Sequence, residues 1–196
     1  MMSMTLMTGM GSSILLLVAL TLKIIPESRL GGIYGLIATV VMIAIFSLPL
    51  KQISIAEFVR GMTGDLSITS LVLLTAYIVR RLFSKQLFLA DQSLRFYILI
   101  SVVGILFYPM ALGLGDFDPY SLGYQSTGFL LGLLVVAVFS WIKNQTLMFV
   151  CISLAEICYG LGWYESTNLW DYLIDPLLSL FSAVACLKYF FRQRAA

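Results

Sequence analysis

From residue 8 to residue 191 the chain alternates between apolar stretches that approach the thickness of a bilayer and short polar breaks. Such a chain has few ways to fold. A soluble domain needs a charged surface, yet only 11% of the residues are charged and 60% are hydrophobic, with a mean hydropathy of +0.98. These values belong to polytopic membrane proteins, whose outer surface meets lipid.

Seven spans are predicted, at residues 8–25, 31–50, 66–79, 94–114, 126–142, 146–163 and 176–191. Pro26 stops the first and Pro49 the second, because proline cannot continue the helical hydrogen-bond ladder. No basic leader precedes the first span, so it is expected to be retained. Gly31 with Gly35, and Gly128 with Gly132, have the GxxxG spacing that permits close helix approach. Asp65 is expected to cap the third span, whose Ser67, Thr69, Ser70 and Thr75 suggest burial. Asp175 before Pro176 fits an N-cap followed by proline at the first helical position. In residues 52–62, Ile55, Phe58, Val59 and Met62 recur at i, i+3, i+4 and i+7, with Glu57 and Arg60 opposite. That pattern predicts a short helix lying in the lipid–water interface. The expected fold class is therefore all-α, a compact bundle of about seven transmembrane helices forming one domain over 1–196.

Lysine and arginine decide the orientation. With the C-terminus cytoplasmic, ten of them (Lys23, Arg29, Arg80, Arg81, Lys85, Arg95, Lys143, Lys188, Arg192 and Arg194) lie inside, and Lys51 and Arg60 outside. The acids segregate the other way, so the outer loops are acidic and aromatic. The expected location is a bacterial cytoplasmic membrane, multi-pass, with the N-terminus outside.

The chemistry is narrower still. There is no histidine, which removes Ser-His hydrolysis, haem ligation and most zinc sites. Cys151, Cys158 and Cys186 form no CxxC pair, and Cys151 and Cys158 are seven residues apart, roughly 10 Å along a helix. The string Gly113-Leu114-Gly115-Asp116 matches the GxGD pattern of intramembrane aspartyl proteases, but no second span carries the aspartate that chemistry requires. We read the match as accidental.

Glu156 remains, near the middle of Thr146–Glu165. A carboxyl group at that depth is costly unless it meets another helix, water, a proton or a cation. On a helix, Ser153, Glu156, Tyr159, Gly160 and Trp163 share a stripe. The leading expectation is a small transport or binding protein whose outward-facing site is centred on Glu156 and lined by Ser153, Tyr159 and Trp163. It would handle a proton, a cation or a polar or lipid-linked headgroup, and Asp116 and Asp118 are further candidate binding residues. The alternative is a non-catalytic subunit of a larger membrane complex. A lipid-modifying enzyme comes third, because no paired acid–base motif exists. The bilayer is the expected partner, with a larger membrane protein as a second. No catalytic residue, cofactor, metal or nucleic acid is expected.

The orientation is testable. In a cysteine-free background, single cysteines at Ser121 and Thr167 should react with a membrane-impermeant thiol reagent added outside, and one at Ser84 should not. Labelling at Ser84 with protection at Ser121 would invert the assignment of sides.

Overall fold

The computed structural model describes residues 4–26, 32–50 and 52–194. The predicted contributions of Arg29, Gly31 and Lys51 fall outside the described residues. The fold is all-helical, with 77% of residues in helices. Seven long helices coincide in order with the seven predicted stretches. They are α1 (Met4–Ile24), α2 (Gly32–Ser47), α4 (Ile68–Phe83), α5 (Ala90–Ala111), α6 (Thr127–Ile142), α7 (Thr146–Gly160) and α9 (Pro176–Arg194). Short helices α3 (Ile55–Thr63) and α8 (Trp170–Leu173) fall in the breaks. A two-residue-by-two-residue hairpin, Pro49–Leu50 against Ile53–Ser54, leads into α3.

Of these, Ala90–Ala111 is long and apolar enough to cross a membrane, with 22 residues and a hydropathy of 1.8. Four others, Thr8–Ile24, Gly32–Ser47, Thr127–Ile142 and Thr146–Gly160, are apolar but shorter. A helix such as α2, with 16 residues, reaches only ~24 Å against a hydrocarbon layer of ~30 Å. The described residues form two compact units: Met1–Leu66 with Leu71–Leu87 and Trp163–Glu165, and Ser67–Ser70 with Phe88–Gly162 and Ser166–Ala196.

In the first unit, α1 and the body of α4 pack side by side. Val18, Ala19 and Leu22 meet Ile78 and Leu82, with Met42 and Phe46 of α2 against them. The two helices run parallel: Ser12 Oγ accepts from the Leu66 amide at 3.3 Å, while farther along Arg81 donates to the Leu22 carbonyl at 2.6 Å and to that of Ile25. Arg81 thus answers carbonyls that the end of α1 leaves open.

In the second unit, α5 packs on α9 through small residues. A Cβ on Gly104 would sit 2.8 Å from Ser179 Oγ, and Ser101 Oγ lies 3.7 Å from Cys186 Sγ. This is the close approach of helices whose contact rests on van der Waals packing. Helices α6 and α7 form a hairpin over the turn at Lys143–Gln145, and Gln92 donates to the Asn144 carbonyl at 2.6 Å. The predicted glycine pair on α6 is not used this way: Gly132 has nothing within 4 Å and Gly128 only its neighbour Ser126.

Asp175 is the polar centre of the second unit and is only 5% exposed. One carboxylate oxygen accepts the Leu178 amide at 2.8 Å, as expected of an N-cap. The other accepts the Ser67 amide at 3.0 Å and the hydroxyls of Ser67 and Ser70 at 2.6 and 2.5 Å. The third span is capped by Ser67, whose Oγ accepts the Ser70 amide at 3.2 Å, and not by Asp65 as expected from sequence. Asp65 is taken instead by Arg60, in a bidentate pair that outcompetes the cap. Of the hydroxyl residues expected to be buried, Ser67, Thr69 and Ser70 are, but Thr75 is exposed.

The carboxylate therefore joins the starts of α4 and α9. Asp175→Ala should leave the Ser67 and Leu178 amides without an acceptor, at about 1–3 kcal/mol for each buried group. Asp175→Asn should not restore stability, because its NH2 replaces an acceptor with a donor on one side or the other. Thermal unfolding in detergent measures both, and an Asn variant as stable as the parent would refute the lock.

Candidate functional site

Helix α7 begins at Thr146, as predicted, but ends at Gly160 rather than residue 163. The amides of Leu161 and Gly162 close the last turn on the carbonyls of Ile157 and Tyr159, both at 3.0 Å. Gly162 then takes φ +62°, the left-handed conformation in which helices commonly stop. The predicted stripe is therefore cut. Trp163 is not on the helix; it belongs to the first unit, where its carbonyl accepts the Thr8 hydroxyl at 2.6 Å.

Glu156, Ser153 and Tyr159 stay on α7 and are all half-buried. The face that α7 buries carries Leu147, Cys151, Ile152 and Ala155 instead, so Glu156 sits on its flank. No hydrogen bond or ion pair reaches Glu156 from the described residues. The carboxyl group is thus not used to tie α7 to a neighbouring helix. One turn further on, the Tyr159 ring meets the fully buried Tyr172 edge-on, with centroids 5.5 Å apart. Gly160 has nothing within 4 Å, which leaves the end of this flank open.

Above Tyr159 the polar loops fold into a cap that the sequence did not announce. Asp171 accepts the Tyr120 hydroxyl at 3.0 and 3.2 Å and the Ser166 hydroxyl at 2.5 Å. Burial and the adjacent Asp171 carboxylate push the Tyr120 phenol well above its ordinary pKa, so it donates throughout the physiological range. Asn168, fully buried, donates to the Tyr120 carbonyl and accepts from the Trp170 amide, both at 2.9 Å. The Trp170 indole donates to the Pro119 carbonyl at 2.9 Å and lies against Phe107 and Phe129, with centroids 4.5 and 4.8 Å away. An interfacial aromatic belt is the simple expectation for these rings, but Trp170 and Tyr172 are internal to the cap. The signal available in sequence was a buried-type Asn-x-Trp-x-Tyr run facing a glycine-bearing loop, and neither half means much alone.

Asp116 and Asp118 are exposed. Asp118 accepts the Tyr120 amide at 2.9 Å and caps a single 3-10 turn, Pro119–Gly123. That is turn chemistry rather than ligand binding. Among the described residues no group of three or more His, Cys, Asp or Glu is placed to hold a metal ion. Comparison of the chain with protein-family models, curated proteins and solved structures finds no match.

The cap depends on Gly123, where a Cβ would lie 1.7 Å from Asn168 Oδ1. Gly123→Ala should cost about 1–3 kcal/mol through overpacking and expose loops 115–125 and 163–175 to limited proteolysis. Gly132→Ala, in open space, should do neither. Equal resistance of the two variants would show that the cap tolerates a side chain there.

Proposed function

We propose that this chain is a multi-pass integral protein of a bacterial-type cytoplasmic membrane, N-terminus outside, which binds a cationic or polar group at Glu156. The membrane assignment is supported by an inverted distribution of polarity. Ser12, Ser13, Ser67, Thr69, Ser70, Ser101, Asp175 and Ser182 are buried, while Val40, Ile105, Val135 and Leu180 are exposed. Lipid, unlike water, stabilises that arrangement. The path is supported by which ends meet within each unit. Arg81 reaches the end of α1, Gln92 reaches the α6–α7 turn, and Tyr120 reaches Asp171, each pair lying on one side in an alternating path.

The binding assignment rests on one observation: Glu156 is a half-buried carboxyl group on α7, about one turn before the helix ends at Gly160, without a partner among the described residues. An ionisable group in a span is a candidate for ligand or proton handling. Ser153 and Tyr159, one turn to either side, add hydroxyl groups to the flank. A proton, a monovalent cation or a polar headgroup fits this sparse donor set better than a divalent ion. A second reading, a subunit docked on a larger membrane protein, draws on the open glycine face of α6 at Gly128 and Gly132.

Three variants separate these roles. Since Glu156 holds no neighbour, Glu156→Leu and Glu156→Gln should both fold at least as stably as the parent. If the carboxyl group binds a cation or cycles a proton, both should fail to complement a deletion strain, and Glu156→Asp should retain part of the activity. A stable, fully active Gln variant would remove Glu156 from the functional residues.

A further inference from the structure

The stretch between α2 and α4 repeats, on a small scale, the inverted polarity of the long helices. The exposed apolar side chains of α2, among them Val40, Val41 and Ile45, are followed by Leu48, Leu50 and Ile53 around the hairpin, with exposed Gln52 between the last two. Phe58 and Met62 continue the row on α3, and Leu50, Phe58 and Met62 are 64%, 58% and 74% exposed. Water is a poor medium for such a row of large side chains.

The ionisable groups described in residues 48–65 are all answered locally. Glu57 accepts the Ser54 amide at 2.6 Å, and Ser54 Oγ accepts the Glu57 amide at 3.1 Å, which completes a capping box. Those bonds hold the Glu57 carboxyl below its ordinary pKa. Arg60 forks onto Asp65 through Nε and Nη2 at 2.5 and 3.0 Å, and that bond makes its guanidinium still harder to deprotonate. The pair is pressed against α1 where only glycine fits: a Cβ on Gly9 would lie 2.3 Å from Asp65 Oδ1 and 2.4 Å from Arg60 Nε. Glu57, Arg60 and Asp65 thus turn inward or onto the helix's own end, and the apolar row faces out.

We propose that residues 48–50 and 52–62 form a foot lying in the outer leaflet at the lipid–water interface, with Leu48, Leu50, Ile53, Phe58 and Met62 among the acyl chains. This rests on the membrane reading above. Lipid is the chosen occupant because its recognition is non-directional and depends on apolar area. A protein partner would be met by a polar rim of donors and charges, and the charges of Glu57, Arg60 and Asp65 are already spent on internal bonds. The foot also follows α2 directly, at Leu48, so it occupies the same medium as the end of that helix.

Depth-dependent quenching tests the proposal on the full chain. In a cysteine-free background, an environment-sensitive fluorophore is attached at Val40, Phe58, Met62 or Ser121, and each protein is reconstituted in phosphatidylcholine–phosphatidylglycerol vesicles. Quenching by lipids brominated on their acyl chains is compared with quenching by aqueous iodide. Phe58 and Met62 should respond to bromolipid several-fold more strongly than Ser121 and be shielded from iodide. If they behave like Ser121 while Val40 responds to bromolipid, the foot is wrong and the membrane reading stands. Shielding of Phe58 and Met62 from both quenchers would mean that protein covers them, which also overturns the proposal. Accessibility of Val40 itself to iodide would bring down the membrane reading.

Discussion

An apolar exterior removes the usual reason for a chain to collapse. Where the surrounding medium is as apolar as leucine, burying leucine gains little, and helices must cohere by close approach and by hydrogen bonds. Both devices are visible here. Gly104 lets α5 reach Ser179 of α9, and Ser12 and Asp175 accept amides that the starts of helices leave unsatisfied. Ser12, Ser67 and Asp175 are thus internal joints of the units, whereas the buried hydroxyls of Ser13 and Ser182 meet no hydrogen-bond partner among the described residues.

The same constraint governs charge. An unanswered charge away from water is expensive, so each one inside the fold is expected to have a specific answer. Arg81 is held by carbonyls at the end of α1, Arg60 by Asp65, and Asp175 by two amides and two hydroxyls. Against that pattern Glu156 stands apart. Neighbouring residues on α7 include hydroxyl donors, yet none turns to it. A fold that answers its buried charges this closely gives weight to the reading that half-buried Glu156 takes its partner from elsewhere.

Helix order was legible because it depends on a coarse property, the length of apolar runs between prolines, glycines and charged breaks. All seven runs became helices. The N-cap at Asp175 was legible for a similar reason, since aspartate before proline has few other uses at a helix start. What failed depended on competition or on distance in sequence. Asp65 is a good cap in isolation, but Arg60 five residues earlier offers a stronger bond. Trp163 fits the periodicity of α7, but periodicity carries no information about where a helix stops, and Gly162 ends it first. The cap joining Tyr120 to Asp171 closes across 51 residues, and no local pattern encodes such a contact.

The shortness of most apolar helices and the elaboration of the loops beside them belong together in the membrane reading. A helix of 15 or 16 residues falls several ångströms short of a ~30 Å hydrocarbon layer. A short span is accommodated by thinning the bilayer or by placing amphipathic groups at its edge. The second unit has an aromatic cap, with indole and phenol groups hydrogen-bonded inward and rings packed on one another. The first has the hairpin and α3, with charges turned in and apolar side chains out. In the membrane reading proposed above, each element would extend the hydrophobic height of its own unit, with backbone polar groups satisfied by short helical turns or strand pairing. Irregular chain is tolerated at that depth only when its amides and carbonyls are answered in this way.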